Sequence, residues 1–142
     1  MADQTQALNQ DQENDQTQND QTLIEATIQT YFECMFEASA EKTYAAFHPN
    51  AKITGFTPDG LAELTVEQFA KMVSRPSPSP KDDGAEAYLE ILSLDIAGDT
   101  AVARVRDDYL AARYLDTLSF LKSDNEWRIY NKLFHIEGPA GG

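Results

Sequence analysis

The chain is poor in positive charge, in sulfur and in long apolar runs. Lys and Arg total 11 against 24 Asp and Glu, for a formal net charge of −13. A phosphate backbone repels such a surface unless a basic patch is set into it, and none is visible, so no nucleic acid and no membrane surface is an expected partner. Cys34 is the single cysteine. An intrachain disulfide is therefore impossible, which fits a reducing compartment, and the expected localisation is cytoplasmic. No apolar stretch approaches the roughly 18–20 residues of a membrane span. The N-terminus has no basic residue ahead of an apolar run, so a secretory signal is not expected. Two His and one Cys lie far apart without metal-ligand spacing, so no metal site is expected. A Gly-rich phosphate loop and a Gly-x-Ser-x-Gly elbow are both missing, and no cofactor is expected.

What is present falls into unequal parts. Residues 1–21 are mostly Gln, Asp, Asn and Thr, with five acids (Asp3, Asp11, Glu13, Asp15, Asp20) and no base. Such a segment buries too little apolar surface to offset its ordering entropy, so a disordered acidic tail is expected there. A single domain is expected over 22–138, large enough to need no staples, with a short tail at 139–142.

Thr22-Leu23-Ile24-Glu25 reads as a capping box, and Ile24, Ile28, Tyr31 and Met35 follow at helical spacing, predicting a helix over 22–38. Ser39 can cap a second helix carrying Tyr44 and Phe47 and ending at Pro49. Residues 51–56 read as a short strand. Thr65-Val66-Glu67-Gln68 is a second capping box, with Leu64 and Phe69 as a hydrophobic staple, and Pro76 closes that helix. Residues 75–84 hold three prolines (Pro76, Pro78, Pro80) and read as a loop. Strands are expected over 88–96, 100–109, 113–122 and 126–136, joined by short turns and therefore antiparallel. Helices followed by a meander make the fold class α+β.

That order, together with four segments, resembles the nuclear transport factor 2-like superfamily over residues 22–137. The segments are Phe47-His48-Pro49-Asn50-Ala51, Gly98-Asp99-Thr100-Ala101, Tyr114-x-Asp116-x-Leu118-Ser119-Phe120-Leu121-Lys122 and Trp127-Arg128-Ile129-x-Asn131-Lys132-x-Phe134. Within the superfamily the chain is most similar to the branch labelled "putative lumazine-binding". The resemblance implies a cone: a curved antiparallel sheet wrapped around N-terminal helices, commonly dimeric through its outer face. It implies no single activity, because this fold hosts isomerases, dehydratases, hydrolases and binding proteins.

A two-residue loop at Asp124-Asn125 sets the expected register of the last hairpin. Lys122 then faces Trp127, Phe120 faces Ile129, Leu118 faces Asn131, Asp116 faces Leu133 and Tyr114 faces His135. The face holding Trp127, Ile129, Phe120 and Leu118 must be concave, so Tyr114, Asp116, Asn131 and His135 are expected to point inward, with Lys132 outward. Tyr109 and Asp107 are expected beside Tyr114 and Asp116. With Tyr31, Cys34 and Met35 from helix one, the expected ligand contacts are Tyr31, Cys34, Met35, Tyr109, Tyr114, Asp116, Leu118, Trp127, Asn131 and His135.

Ketosteroid isomerases of the superfamily pair a helix-one Tyr with a protonated Asp that opens an Asp-x-x-x-Phe segment, and Tyr31 and Asp116-Thr117-Leu118-Ser119-Phe120 match both elements. The resemblance thus implies Tyr31 and Asp116 as an oxyanion-binding pair. Gly55 falls where those enzymes carry their base, so a base must come from elsewhere, His135 first and His48 second. The expected function is a pocket for a small cyclic organic ligand, with cofactor-free isomerase- or dehydratase-like chemistry if there is turnover. The alternative is a non-catalytic homodimeric interaction module using outward residues such as Val102, Leu121 and Tyr130.

Overall fold

The computed structural model describes residues 2–141, with side chains from Asp15 onward. The chain runs α1 (Ala2–Phe36), α2 (Ala40–Ala46), β1 (Phe47–Thr57), β2 (Gly60–Thr65), α3 (Val66–Val73), β3 (Leu89–Ala97), β4 (Thr100–Tyr109), β5 (Ala112–Ser123) and β6 (Glu126–Pro139). The strands form one sheet in the order β2-β1-β6-β5-β4-β3. Neighbours are antiparallel except β1 and β6, which pair in parallel. The α+β class holds, with the one parallel pair as an addition to the expected antiparallel sheet.

Helix α1 corrects the expected start of order. It is already helical before Thr22, whose hydroxyl donates to the Gln18 carbonyl, as an interior helical residue does. Gln is a good helix former, and the amides of Gln16 and Gln21 bond the carboxylates of Asp20 and Glu25 one turn on. Asp20 continues the buried stripe of Ile24, Ile28, Tyr31 and Met35 and is itself 5 % exposed. Its Oδ1 accepts from Trp127 Nε1 and from Lys122 Nζ, both at 3.0 Å. Burial raises its pKa, but the bonds from Trp127, Lys122 and Gln16 outweigh that and hold it below the usual carboxylate range. Composition concealed this anchor, because an acid on a polar segment looks like solvated surface until its tertiary partners are known.

The helix stops in a Schellman motif. Ala38 is left-handed (φ 54°), its N–H bonds the Met35 carbonyl, and the Ser39 N–H bonds that of Cys34. Ser39 then caps α2 through the Lys42 N–H. Phe47 is not helical: it opens β1, which runs through Pro49 and is longer than the strand expected over 51–56. Strand β2 is an addition to the expected elements. Thr65 ends it and forms the expected reciprocal capping box with Gln68 at the start of α3.

The three turns between the long strands are tight, with Gly98-Asp99, Leu110-Ala111 and Asp124-Asn125 at their tips. Asp124 and Asn125 both have positive φ, as a type I′ turn requires. The helices pack on one face of the sheet. Their core joins Ile24, Ile28 and Tyr31 of α1 and Phe69 and Val73 of α3 to Val105, Leu118, Phe120, Trp127 and Ile129 of the sheet. Phe47 sits edge-on to both Tyr31 (5.8 Å) and Phe69 (5.6 Å), tying strand and helices together.

Candidate ligand cavity

The hairpin register holds as expected only near its turn. Lys122 pairs with Trp127 and Phe120 with Ile129, but Ser119 then pairs with Asn131, leaving Tyr130 as an extra residue. This β-bulge moves everything beyond it by one position. Leu118 faces Lys132, Asp116 faces Phe134 and Tyr114 faces Ile136. The expected inward placement of Asn131 and His135 is therefore corrected: both are exposed on the outer face. The expected outward placement of Lys132 is corrected too, since Lys132 points inward and is 5 % exposed.

Beyond the bulge the concave face does not close completely, and a cavity of about 130 Å³ remains. Its apolar wall comes from Met35 of α1, Phe69 and Met72 of α3, Ile53 of β1, and Ala62 and Leu64 of β2. Across from it stand Asp107 and Tyr109 of β4, Tyr114 of β5, and Lys132 and Phe134 of β6. Strand alternation puts all five on one face, because Ala103, Val105 and Asp107 share parity on β4, as do Lys132 and Phe134 on β6.

The polar groups form two linked sets. Tyr31 Oη donates to Asp116 Oδ2 at 2.6 Å, fully buried. The two implied oxyanion binders thus meet each other just beneath the cavity rather than lining it. Asp107 lies diagonally across the β4–β5 ladder from Asp116 and does line the cavity. Burial, then the Asp116 carboxylate, push the Asp107 pKa well above the usual range, while Lys132 pulls the other way. As two carboxylates the pair lacks donors: both Asp107 oxygens and Asp116 Oδ1 are without a hydrogen-bond partner among the described residues. A protonated Asp107, the form its burial favours, removes the like-charge conflict and can turn its O–H toward Asp116 or toward the cavity. Burial, with Asp107 and Asp116 beside it, also raises Tyr31 well above its ordinary value.

Tyr109 Oη is likewise buried with no hydrogen-bond partner among the described residues, and burial pushes its pKa up to about 12. Lys132 Nζ stands over the rings of Tyr31 and Phe69, 4.8 Å from each centroid, and 5.7 Å from that of Phe134. The cavity therefore offers a proton donor, a phenol and an ammonium on one side and hydrocarbon on the other.

Of the other expected contacts, Met35, Tyr109 and Tyr114 line the cavity. Cys34 and Leu118 are buried in the core, and burial lifts the Cys34 thiol to about 11. Trp127 gives its N–H to Asp20 at the far end of the hairpin. His48 accepts the Asn50 N–H through Nδ1 and its ring lies against Tyr130, away from the cavity. Gly55 is explained by its neighbour: a Cβ there would lie 2.5 Å from Phe134 Cδ2 and from its carbonyl oxygen. Phe134 occupies the space into which a base on this strand would project. Asp107 was legible from parity alone; Lys132 was hidden by the bulge.

The family profile described as "Putative lumazine-binding" matches residues 19–135, nearly the whole fold and every residue that lines the cavity. The chain belongs to this family. Among curated relatives, Aldolase FrzH of Cladobotryum sp is 25 % identical over 119 residues, which is 84 % of this chain and 93 % of that protein. Among solved structures, an NTF2-like protein of Methylobacillus flagellatus is 28 % identical, covering 84 % of this chain and 94 % of its own, with a TM-score of 0.73. An NTF-2 like protein of Silicibacter pomeroyi reaches a TM-score of 0.75 at 23 % identity over 85 % of this chain and 98 % of its own, a likeness of fold. The lumazine-binding-like assignment and the superfamily named from sequence thus agree with the architecture. No helix among the described residues is long and apolar enough to cross a membrane.

Proposed function

We propose that the cavity binds a small cyclic organic ligand through a carbonyl or ring oxygen. The observation that carries this reading is the pairing of an apolar wall with buried oxygens of Asp107 and Tyr109 that lack hydrogen-bond partners among the described residues. Native interiors rarely leave such groups unpaired, and a ligand oxygen accepting from the Asp107 carboxyl and the Tyr109 phenol pairs both. Size limits the ligand: an apolar cavity of about 150 Å³ admits benzene, so one six-membered ring fills this one, with substituents leaving past the exposed Met72 rim.

If chemistry follows, it is cofactor-free acid–base work on a carbonyl compound. Charge developing on the carbonyl oxygen is stabilised by the two donors, with Tyr31 and Asp116 holding the proton of the carboxyl pair on Asp107. The aldolase among the relatives supports a carbonyl substrate class. Thermal melts with cyclohexanone and benzaldehyde test the reading. The expected outcome is a rise in Tm for the native chain, reduced in Asp107→Asn/Tyr109→Phe and in Tyr31→Phe/Asp116→Ala. No rise for the native chain with either compound overturns it.

The second reading, a homodimeric module, is favoured by the outer sheet face. Val102 is 40 % exposed and, with Leu121 and Tyr130, borders one shallow concavity there. The two readings use opposite faces and are compatible.

A further inference from the structure

Lys132 lies within the cavity but outside the acid–base scheme. It is almost wholly buried, yet among the described residues no hydrogen bond or ion pair holds its ammonium; three ring faces do. A lysine kept for stability would be expected to carry a carboxylate contact, as Lys122 does with Asp20 and Lys42 with Glu33. Burial among hydrocarbon, a cavity at its tip, and a carboxyl acid on the same wall are together the surroundings of an amine that attacks carbonyl carbon.

We propose that the Lys132 amine forms an iminium with the carbonyl carbon of an aldehyde or cyclic ketone held in the cavity. The inference rests on the cavity reading above and deepens it. One proton of the Lys132 ammonium first passes to solvent; the neutral amine nitrogen then bonds the carbonyl carbon, the C=O π pair moves to oxygen, and a second nitrogen proton is relayed to that oxygen, giving a carbinolamine. The nitrogen lone pair then forms C=N, the C–O bond breaks, and the oxygen leaves as water on taking the Asp107 proton. The products are an iminium cation and the Asp107 carboxylate beside it. The ring faces of Tyr31, Phe69 and Phe134 that accommodate the ammonium accommodate the iminium equally.

The test uses the full chain with benzaldehyde and sodium cyanoborohydride, followed by peptide mapping by mass spectrometry. The expected result is one reduced adduct at Lys132, formed about tenfold faster than at exposed Lys71 because the cavity holds aldehyde and amine together. Lys132→Met loses that adduct and keeps the slow one at Lys71. Because that variant also alters packing, benzyl alcohol, which has the ring but no carbonyl, serves as competitor on the native chain. It is expected to protect Lys132 and leave Lys71 unchanged. Labelling at Lys132 no faster than at Lys71 overturns the proposal. A thermal shift with benzyl alcohol in that case sinks the amine's role alone, whereas no shift with benzyl alcohol or benzaldehyde sinks the cavity reading with it.

Discussion

Asp107 is the residue on which folding and site chemistry meet. Its pKa is raised in the fold, so the proton it holds stabilises the folded state below the ordinary aspartate value near 4. That stabilisation falls away as pH rises from there through the raised value, since the unfolded chain releases the proton first. Asp107→Asn removes the titration while keeping the shape. Its Tm is expected to vary less than that of the native chain between pH 5 and 9, with the largest gain at the alkaline end; parallel melts across that range check this. Tyr31→Phe acts on the same set from below. It strips the donor from Asp116 Oδ2 and is expected to cost about 1–3 kcal/mol in urea unfolding, the penalty for an unpaired buried acceptor. An unchanged urea midpoint would mean that the carboxyl finds another partner.

At the scale of elements, one extra residue decides what faces the cavity. The alternation of β6 reads unbroken from Trp127 to His135, and a side-chain period of two carries any slip to the end of the strand. With Tyr130 bulged, Lys132 takes the inward place that regular pairing assigns to Asn131. Where β1 meets β6, close approach rules: Gly55→Ala sets a methyl against the Phe134 ring and carbonyl. The expected loss is about 1–3 kcal/mol, measured by chemical denaturation, and an unaffected variant would show that Phe134 yields freely. Helix α1 is tied to the hairpin at its other end by Asp20. Asp20→Ala leaves the Trp127 N–H and the Lys122 ammonium without their acceptor, for an expected loss of about 1–3 kcal/mol. Because the Asp20 pKa is lowered in the fold, its contribution is present above about pH 4 and is lost as pH falls through the depressed value. Asp20→Asn is accordingly expected to flatten the acid limb of the stability curve.

For the whole molecule the sheet has two sides with different uses. The concave side carries the helices and the cavity; the convex side presents Val102, Leu121 and Tyr130 around one concavity, with Leu133 56 % exposed elsewhere on it. If that side pairs two copies, light scattering is expected to give twice the 15.8 kDa chain mass, and Val102→Glu is expected to halve it without lowering the Tm response to cyclic ligands. A native monomer would remove the second reading and leave the first intact.

Local signals carried the architecture a long way. Thr65 and Gln68 announced α3, Asp124-Asn125 announced the last turn, and the spacing of Ile24, Ile28, Tyr31 and Met35 announced the buried face of α1, because caps, turns and periodicity act over a few residues. The meeting of Tyr31 with Asp116 was also legible, through the resemblance. What only the tertiary structure decided were matters of pairing between distant segments. Asp20 is an anchor because Trp127 and Lys122 reach it, Lys132 is inward because Tyr130 is bulged, and the Asp107 pKa is raised because the carboxyl is buried beside Asp116. A residue type states which bonds a side chain can make, but its protonation and partners follow from what the fold brings within about 3–5 Å of it.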